Sequence, residues 1–333
     1  MENKKLPAVL GVGNALIDII TVIENDAILE NFGLPRGSMT LVDAELSEKI
    51  FNAVYSEKSE RSTGGSVANT MRTLAGIGGN GGYVGKTGND ELGKVFKDAF
   101  EKKGIKTHLS YSKTATGRVM GLVSPDSERT MATYLGAAAE LTPADFTPEL
   151  FEGYDYLYME GYLVFNHDLI KAGVSMAKAA GLKIAIDLAS FNVVDANRDF
   201  LKDLIQNYVD IVFANEEEAK SLTGKEPEQA LYEISEMCEI AVVKIGKNGS
   251  YIKRGEEVLK IGTIPAKAID TTGAGDSYAA GFFYGLTKGY DLETSGKIAA
   301  LISGKTVEVM GANLPDNQWK SVNEEIRMIV NQE

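Results

Sequence analysis

Within this sequence of 333 residues cysteine occurs once, at Cys238, which excludes an intrachain disulfide and any cysteine-based zinc cluster. Leu231, Ile234 and Met237 accompany it at helical spacing, so it reads as a core thiol and not as a nucleophile. Histidine is nearly as scarce. His108 and His167 are the only two, and no HExxH occurs, which leaves histidine-based metal or acid–base chemistry little to work with. No run of about 18 apolar residues exists to span a bilayer. Residues 1–7 lack the apolar core and small-residue cleavage site of a signal peptide, so the expected location is the cytoplasm. Positive charge is in deficit, with 34 Lys and Arg against 47 Asp and Glu and a formal net charge of −13. That argues against nucleic acid or an anionic membrane as partner, because both are held by lysine and arginine. Repeats, heptads and low-complexity segments are also missing. What remains is an ordinary soluble composition, 44% hydrophobic and 24% charged, in a chain long enough for one large elaborated α/β domain or two average ones.

Glycine is plentiful, and its placement carries the argument. The stretch Asp270-Thr271-Thr272-Gly273-Ala274-Gly275-Asp276-Ser277 follows a strand-like run, Ile261-Gly262-Thr263-Ile264-Pro265, and opens a segment of small and aromatic residues at helical spacing. A glycine-bearing loop therefore delivers its backbone onto the first turn of a helix. Unpaired N–H groups and the positive end of the helix dipole make such a turn an anion site. Asp276 would weaken that site if its only task were to bind phosphate. It fits if it takes a proton from a hydroxyl that is attacking a phosphoryl group.

Other glycine patterns lead nowhere. Gly11 and Gly13 break the first strand, but position 16 is Leu16 where a dinucleotide fingerprint needs glycine. Gly76-Ile77-Gly78-Gly79-Asn80-Gly81 precedes a strand instead of following one. The segment from Asn80 to Thr87 approaches a P-loop but begins with asparagine and reads as a strand. From Tyr156 to Ile245 the pattern is regular strand–helix alternation, with strands at Tyr156–Met159, Lys183–Asp187, Ile211–Ala214 and Ile240–Ile245 and a helix expected over Asn197–Gln206. This predicts a parallel sheet covered by helices, with ligands at the carboxyl ends of the strands, where Asp187 and Asn215 sit. Alternating runs at Thr107–Tyr111, Gly117–Val123 and Arg129–Tyr134, with a turn over Ser124–Ser127, predict instead a small antiparallel sheet.

The Asp-Thr-Thr-Gly-Ala-Gly-Asp-Ser run and its small-residue helix resemble the signature of the ribokinase, or PfkB, superfamily of carbohydrate and nucleoside kinases, and the similarity spans nearly the whole chain. Gly13-Asn14-Ala15-Leu16-Ile17-Asp18 and Leu135-Gly136-Ala137-Ala138 are most similar to its adenosine-kinase-like branch. The resemblance implies an α/β, ribokinase-like fold: one domain over residues 1–333, a central, mostly parallel sheet flanked by helices, and a small discontinuous β-sheet lid from about 15–43 and 105–135. It implies ATP-dependent phosphorylation of a primary hydroxyl on a nucleoside, adenosine first, or on a sugar such as ribose or fructose. A nucleotide- or sugar-binding sensor without turnover is the rival of another class. The resemblance casts Asp276 as base, with the N–H groups of Gly273, Ala274 and Gly275 as anion hole, and Asp18, Gly64, Gly65 and Asn69 as acceptor site. It gives nucleotide contacts to Asn215, Lys244, Gly246 and Gly249, Mg²⁺ through water to Glu218, and a monovalent cation such as K⁺ to Asp270 and Thr272. Lysine at position 244 departs from the small hydroxyl residue usual there. From the residues alone Asp18 could also be a turn aspartate and Glu218 a solvated helix face. Tyr134, Tyr162 and Phe165 are candidates to stack on a base, and the molecule is expected to be a monomer or a homodimer.

Overall fold

The computed structural model describes residues 8–56, 59–126 and 128–331. The stretch 1–7, expected to lead into the first strand, and Ser127 of the expected turn lie outside the described residues. Among the described residues, fourteen strands form two sheets. In chain order they are β1 (Ala8–Val12), β2 (Leu16–Val22), β3 (Met39–Leu41), β4 (Glu60–Gly64), β5 (Asn80–Gly88), β6 (Lys106–Ser112) and β7 (Thr116–Val123), followed by β8 (Arg129–Gly136), β9 (Tyr156–Glu160), β10 (Lys183–Asp187), β11 (Ile211–Asn215), β12 (Ile240–Lys244), β13 (Ser250–Arg254) and β14 (Glu257–Ile261).

The large sheet has nine strands in the order β14-β13-β12-β11-β10-β9-β1-β5-β6. The seven from β12 to β6 run parallel, and β13 and β14 are antiparallel additions at one edge. Its central strands are apolar on both faces, as a parallel sheet covered by helices requires. Val9, Tyr158, Phe213 and Val242 point to one side, against Ala279, Phe282 and Phe283 of the helix Ala274–Lys288. Leu10, Leu157, Val212 and Val243 point to the other, against helices that include His167–Ala179 and Pro227–Ser235.

The second sheet is smaller, in the order β3-β8-β7-β2-β4. Its back joins the first core through Ile17, Ile19, Met120, Leu122 and Ala132. Its front carries Leu16, Asp18, Ile20, Val119 and Met131, which face the carboxyl ends of the large sheet across a cavity. Three expectations change here. Thr107–Tyr111 is not a lid strand: β6 lies parallel to β5 at the edge of the large sheet, and of the stretch 105–135 only β7 and β8 enter the small one. The helix Glu91–Lys102 connects β5 and β6 as a parallel crossover, its stacked Phe96 and Phe100 packing tilted against Tyr83. Alternation is the same for a half-buried edge strand and a hairpin strand, so periodicity could not separate them. The edge strand β4 is too polar to read as a strand at all. The run from Ile261 is also shorter than expected, for β14 ends at Ile261 and 262–272 are irregular. The helix expected from Asn197 begins at Phe191, capped by Ser190, and kinks at Asn197. No helix among the described residues is long and apolar enough to cross a membrane.

Candidate active site

A cavity of about 1560 Å³ separates the two sheets. Single-ligand pockets run to roughly 1,000 Å³, so the space suits two ligands side by side. Asp276 stands near its middle, in the first turn of the helix Ala274–Lys288. The residue before that helix, Gly273, has φ +73°, and a side chain there would run into Ala312. Glycine is therefore required at this turn. The N–H of Ala274, expected in the anion hole, donates instead to the Thr271 carbonyl at 3.2 Å. Ala274 and Gly275 line the cavity beside it.

The carboxylate of Asp276 is held from both sides. Ser66 Oγ donates to Oδ1 at 2.7 Å and Asn69 Nδ2 to Oδ2 at 3.0 Å, while Thr70 Oγ1 donates to the Asp276 carbonyl at 3.1 Å. All three donors lie on the helix Ser66–Gly76, which the di-glycine turn initiates. Gly65 has φ +100° and packs on the Asn14 carbonyl, and Gly64 packs on the Asp18 carboxylate, so a Cβ fits at neither. Asn69, expected as an acceptor contact, is thus first a support for the base. Burial pushes the Asp276 carboxyl up to about 6, opposed by the Ser66 and Asn69 hydrogen bonds.

Asp18 enters the same cavity from β2. Among the described residues it accepts no hydrogen bond, and burial raises it to about 6, with the Arg72 charge acting the other way. A desolvated carboxylate without donors is costly, and ligand hydroxyls would satisfy it. Behind it, Glu160 at the end of β9 accepts from Asn14 Nδ2 at 2.5 Å, from Asn14 N at 3.2 Å and from Val67 N at 3.4 Å, tying the first strand to the di-glycine turn. Burial lifts Glu160 to about 7.

At the other end of the cavity β10, β11 and β12 finish with Asp187, Asn215 and Lys244. Lys244 Nζ donates to Asp187 Oδ2 at 2.9 Å. Asn215 caps the helix Glu216–Thr223 and exchanges hydrogen bonds with Glu218, whose carboxyl burial and Asp187 raise to about 7. Among the described residues no three His, Cys, Asp or Glu side chains converge as a dedicated metal cage. One buried carboxylate and one amide on the cavity wall fit a hydrated Mg²⁺ that arrives on a nucleotide's phosphates. Gly246 and Gly249 line the wall beyond, with Thr263, Ile264, Gly304 and Val307.

Asp270 is already engaged within the fold. Asp270 Oδ1 accepts from Thr272 N and Oγ1, and Oδ2 accepts from Gly311 N at 2.7 Å and pairs with Arg129 Nη1 at 2.7 Å. Both Asp270 oxygens are thus occupied, one by a lid arginine, whereas the Thr272 hydroxyl gives its hydrogen to Asp270 and keeps its lone pairs. Tyr134 falls away as a base contact: on β8 the residues Arg129, Met131, Thr133 and Leu135 face the cavity and Tyr134 alternates to the far side, whereas Tyr162 and Phe165 line it. Sequence reasoning missed Ser66, Glu160 and Arg129. The strand-end rule that pointed to Asp187 points equally to Glu160. Ser66 directly follows the di-glycine, and Arg129 carries no local signal.

With this geometry in place, comparison with known proteins is decisive. Residues 38–319 match the model of the pfkB family carbohydrate kinases. This chain belongs to the PfkB family. Among solved structures, a probable sugar kinase from Rhizobium etli is 34% identical with a TM-score of 0.86, covering 97% of this chain and 98% of its own. The adenosine kinase from Sinorhizobium meliloti is 34% identical with a TM-score of 0.85, over 97% and 99%. An adenosine kinase from Dictyostelium discoideum is 26% identical over 96% of this chain and 99% of its own. The PfkB chain is therefore an ATP-dependent kinase of a nucleoside or sugar, adenosine-kinase-like.

Proposed function

We propose that this kinase transfers the terminal phosphoryl group of ATP to a primary hydroxyl of adenosine or a closely related nucleoside, in the cytoplasm. The observation that carries the reading is the pairing of Asp276 with Asp18 in one cavity. Asp18 takes two vicinal sugar hydroxyls, which turns the remaining primary hydroxyl toward Asp276. Asp276 accepts that proton as the new O–P bond forms and the bond to ADP breaks. The N–H groups of Gly273 and Gly275 stabilise charge gathering on the transferring oxygens, an effect on the order of 3 kcal/mol per well-placed donor. Glu218 and Asn215 would hold Mg²⁺ through water, and the ion supplies charge neutralisation on the phosphates. The lid excludes water that would otherwise compete as acceptor.

The nucleoside is preferred to a bare sugar because the Sinorhizobium meliloti and Dictyostelium discoideum proteins are both adenosine kinases, and because Tyr162 and Phe165 supply flat surface at the cavity wall. A furanose sugar is the second reading, supported by the Rhizobium etli relative.

ADP release from MgATP, measured with adenosine, other nucleosides, ribose and fructose in parallel, with and without K⁺, tests both. Turnover on adenosine that collapses in Asp276→Asn is the expected result. Turnover on ribose or fructose alone moves the assignment to the sugar, and ADP release unchanged by the substitution removes Asp276 as base.

A further inference from the structure

The lysine that ends β12 has an arrangement the nucleotide-contact assignment does not explain. Its side chain is 15% exposed and reaches across the end of β11 to Asp187. Asp187 is itself fixed, since its other oxygen accepts from Ala189 N at 2.9 Å. Ala189 has φ +67° and is the one non-glycine with positive φ among the described residues. The ammonium stays protonated: burial opposes the charge, but Asp187, Glu218 and Asp276 together raise its pKa. An ammonium has three donors. Asp187 takes one, and among the described residues the other two have no partner. They sit over the anion-binding turn, because a Cβ built on Gly275 would lie 3.1 Å from Lys244 Nζ and near nothing else.

The geometry points to Lys244 as a catalytic residue, whose ammonium contacts the oxygens of the transferring phosphoryl group beside the Gly275 N–H, with Asp187 as its positioning residue. This rests on the kinase reading. Lys244 keeps its proton throughout: the acceptor's proton goes to Asp276, the O–P bond to the acceptor forms, and the bond to ADP breaks. The ammonium is a fixed charge that the backbone turn alone lacks. Of the other cations that line the cavity, Arg129 is engaged by Asp270 and Lys247 is exposed. A lysine that only neutralised Asp187 and Glu218 would have no need to lie over the turn with two donors open.

The test compares wild type, Lys244→Met, Lys244→Arg and Asp187→Asn in MgATP turnover with the acceptor that wild type uses. It also compares binding of ADP with binding of the β,γ-imido analogue of ATP, which keeps the third phosphate. Lys244→Met is expected to lower kcat by roughly 100-fold to 1,000-fold while ADP affinity changes less than about threefold. The preference for the imido analogue over ADP should be lost, Lys244→Arg should recover part of kcat, and Asp187→Asn should lower kcat with little change in KM. A kcat within about threefold of wild type overturns the proposal. So does an equal loss of ADP affinity, which would make Lys244 a general nucleotide contact. A fall in activity that only tracks loss of folded protein also overturns it. If wild type turns over no acceptor, the acceptor assignment fails separately, and Lys244 is judged on binding: retention of the imido-analogue preference in Lys244→Met overturns the proposal, and its loss supports it.

Discussion

The two sheets that enclose the cavity do opposite things with their polar residues. The large sheet gathers them at strand ends, where Glu160, Asp187, Asn215 and Lys244 come from four adjacent parallel strands and are held by one another or by backbone. The small sheet places few, and on the face: Asp18 stands on β2 among Leu16 and Ile20, without a hydrogen bond among the described residues, and Arg129 reaches down from β8 to Asp270. Groups on the large sheet are pre-organised before any ligand arrives. On the function proposed above, Asp18 is left to be satisfied by the ligand, chemistry belongs to the rigid sheet and its following helix, and acceptor choice belongs to the lid.

Asp276→Asn breaks this comparison at its strongest point. It keeps the shape of the site and removes the proton acceptor, so kcat should drop by roughly 1,000-fold, with nucleotide affinity nearly unchanged by calorimetry. A loss in affinity equal to the loss in kcat would mean that Asp276 serves binding and that the division between the sheets is misplaced.

The degree to which each region could be read from sequence follows the same division. Asp276 and its glycines are contiguous, and a loop entering a helix has one physical meaning. The parallel strands announce themselves by apolar runs with a polar residue at each end. The lid is assembled from β2, β3, β4, β7 and β8, separated by helices and by strands of the other sheet. Its membership depends on pairing and not on pattern, which is why β6 was misplaced and β4 missed. Arg129 shares that difficulty, because its partner Asp270 is remote in sequence and nothing local to a strand arginine marks an ion pair. Asp270 was legible as part of the motif, but only the fold shows that an arginine holds it.

Asp18→Asn should come next in size. Replacing the carboxylate with an amide keeps one acceptor oxygen and loses the charge, so kcat/KM for the nucleoside should fall roughly 100-fold, while KM for ATP stays within about twofold. Steady-state kinetics with each substrate varied separates the two. Equal effects on both substrates would tie Asp18 to the phosphate end and blur the distinction between the sheets.

The pH profile sharpens the comparison. Asp276 acts as a base only when ionised, and its carboxyl is raised to about 6, so kcat/KM should fall about tenfold per pH unit below that value. Asp18, also raised to about 6, adds to the same limb, and Asp18→Asn should make it shallower. The stability linkage has the opposite sense. A carboxyl whose folded pKa exceeds its ordinary 3.8 favours the folded state when protonated, so its contribution is lost as pH rises from about 4 through 6. Asp276→Asn lacks that term, and its melting temperature should rise relative to wild type across the same window. The residue that costs stability at neutral pH is then the one activity requires.

The smallest effect should come from the lid face. Met131 on β8 pairs in register with Met39 on the edge strand β3, and both side chains line the cavity. Methionine is flexible and fills irregular space, so a methionine-bearing wall adapts to acceptors of somewhat different shape. Met131→Ala removes part of the wall without touching Asp276 or the strand ends. Because Met131 is only partly buried, the fold should tolerate the change with little loss of melting temperature. The ratio of kcat/KM between adenosine and a smaller acceptor such as ribose should shift by less than about tenfold, the scale of a few lost apolar contacts. Its kcat on adenosine should stay near wild type. If kcat fell with the ratio unchanged, the lid would be acting on the chemical step, and the assignment of specificity to the small sheet would fail at the residue where it should be easiest to see.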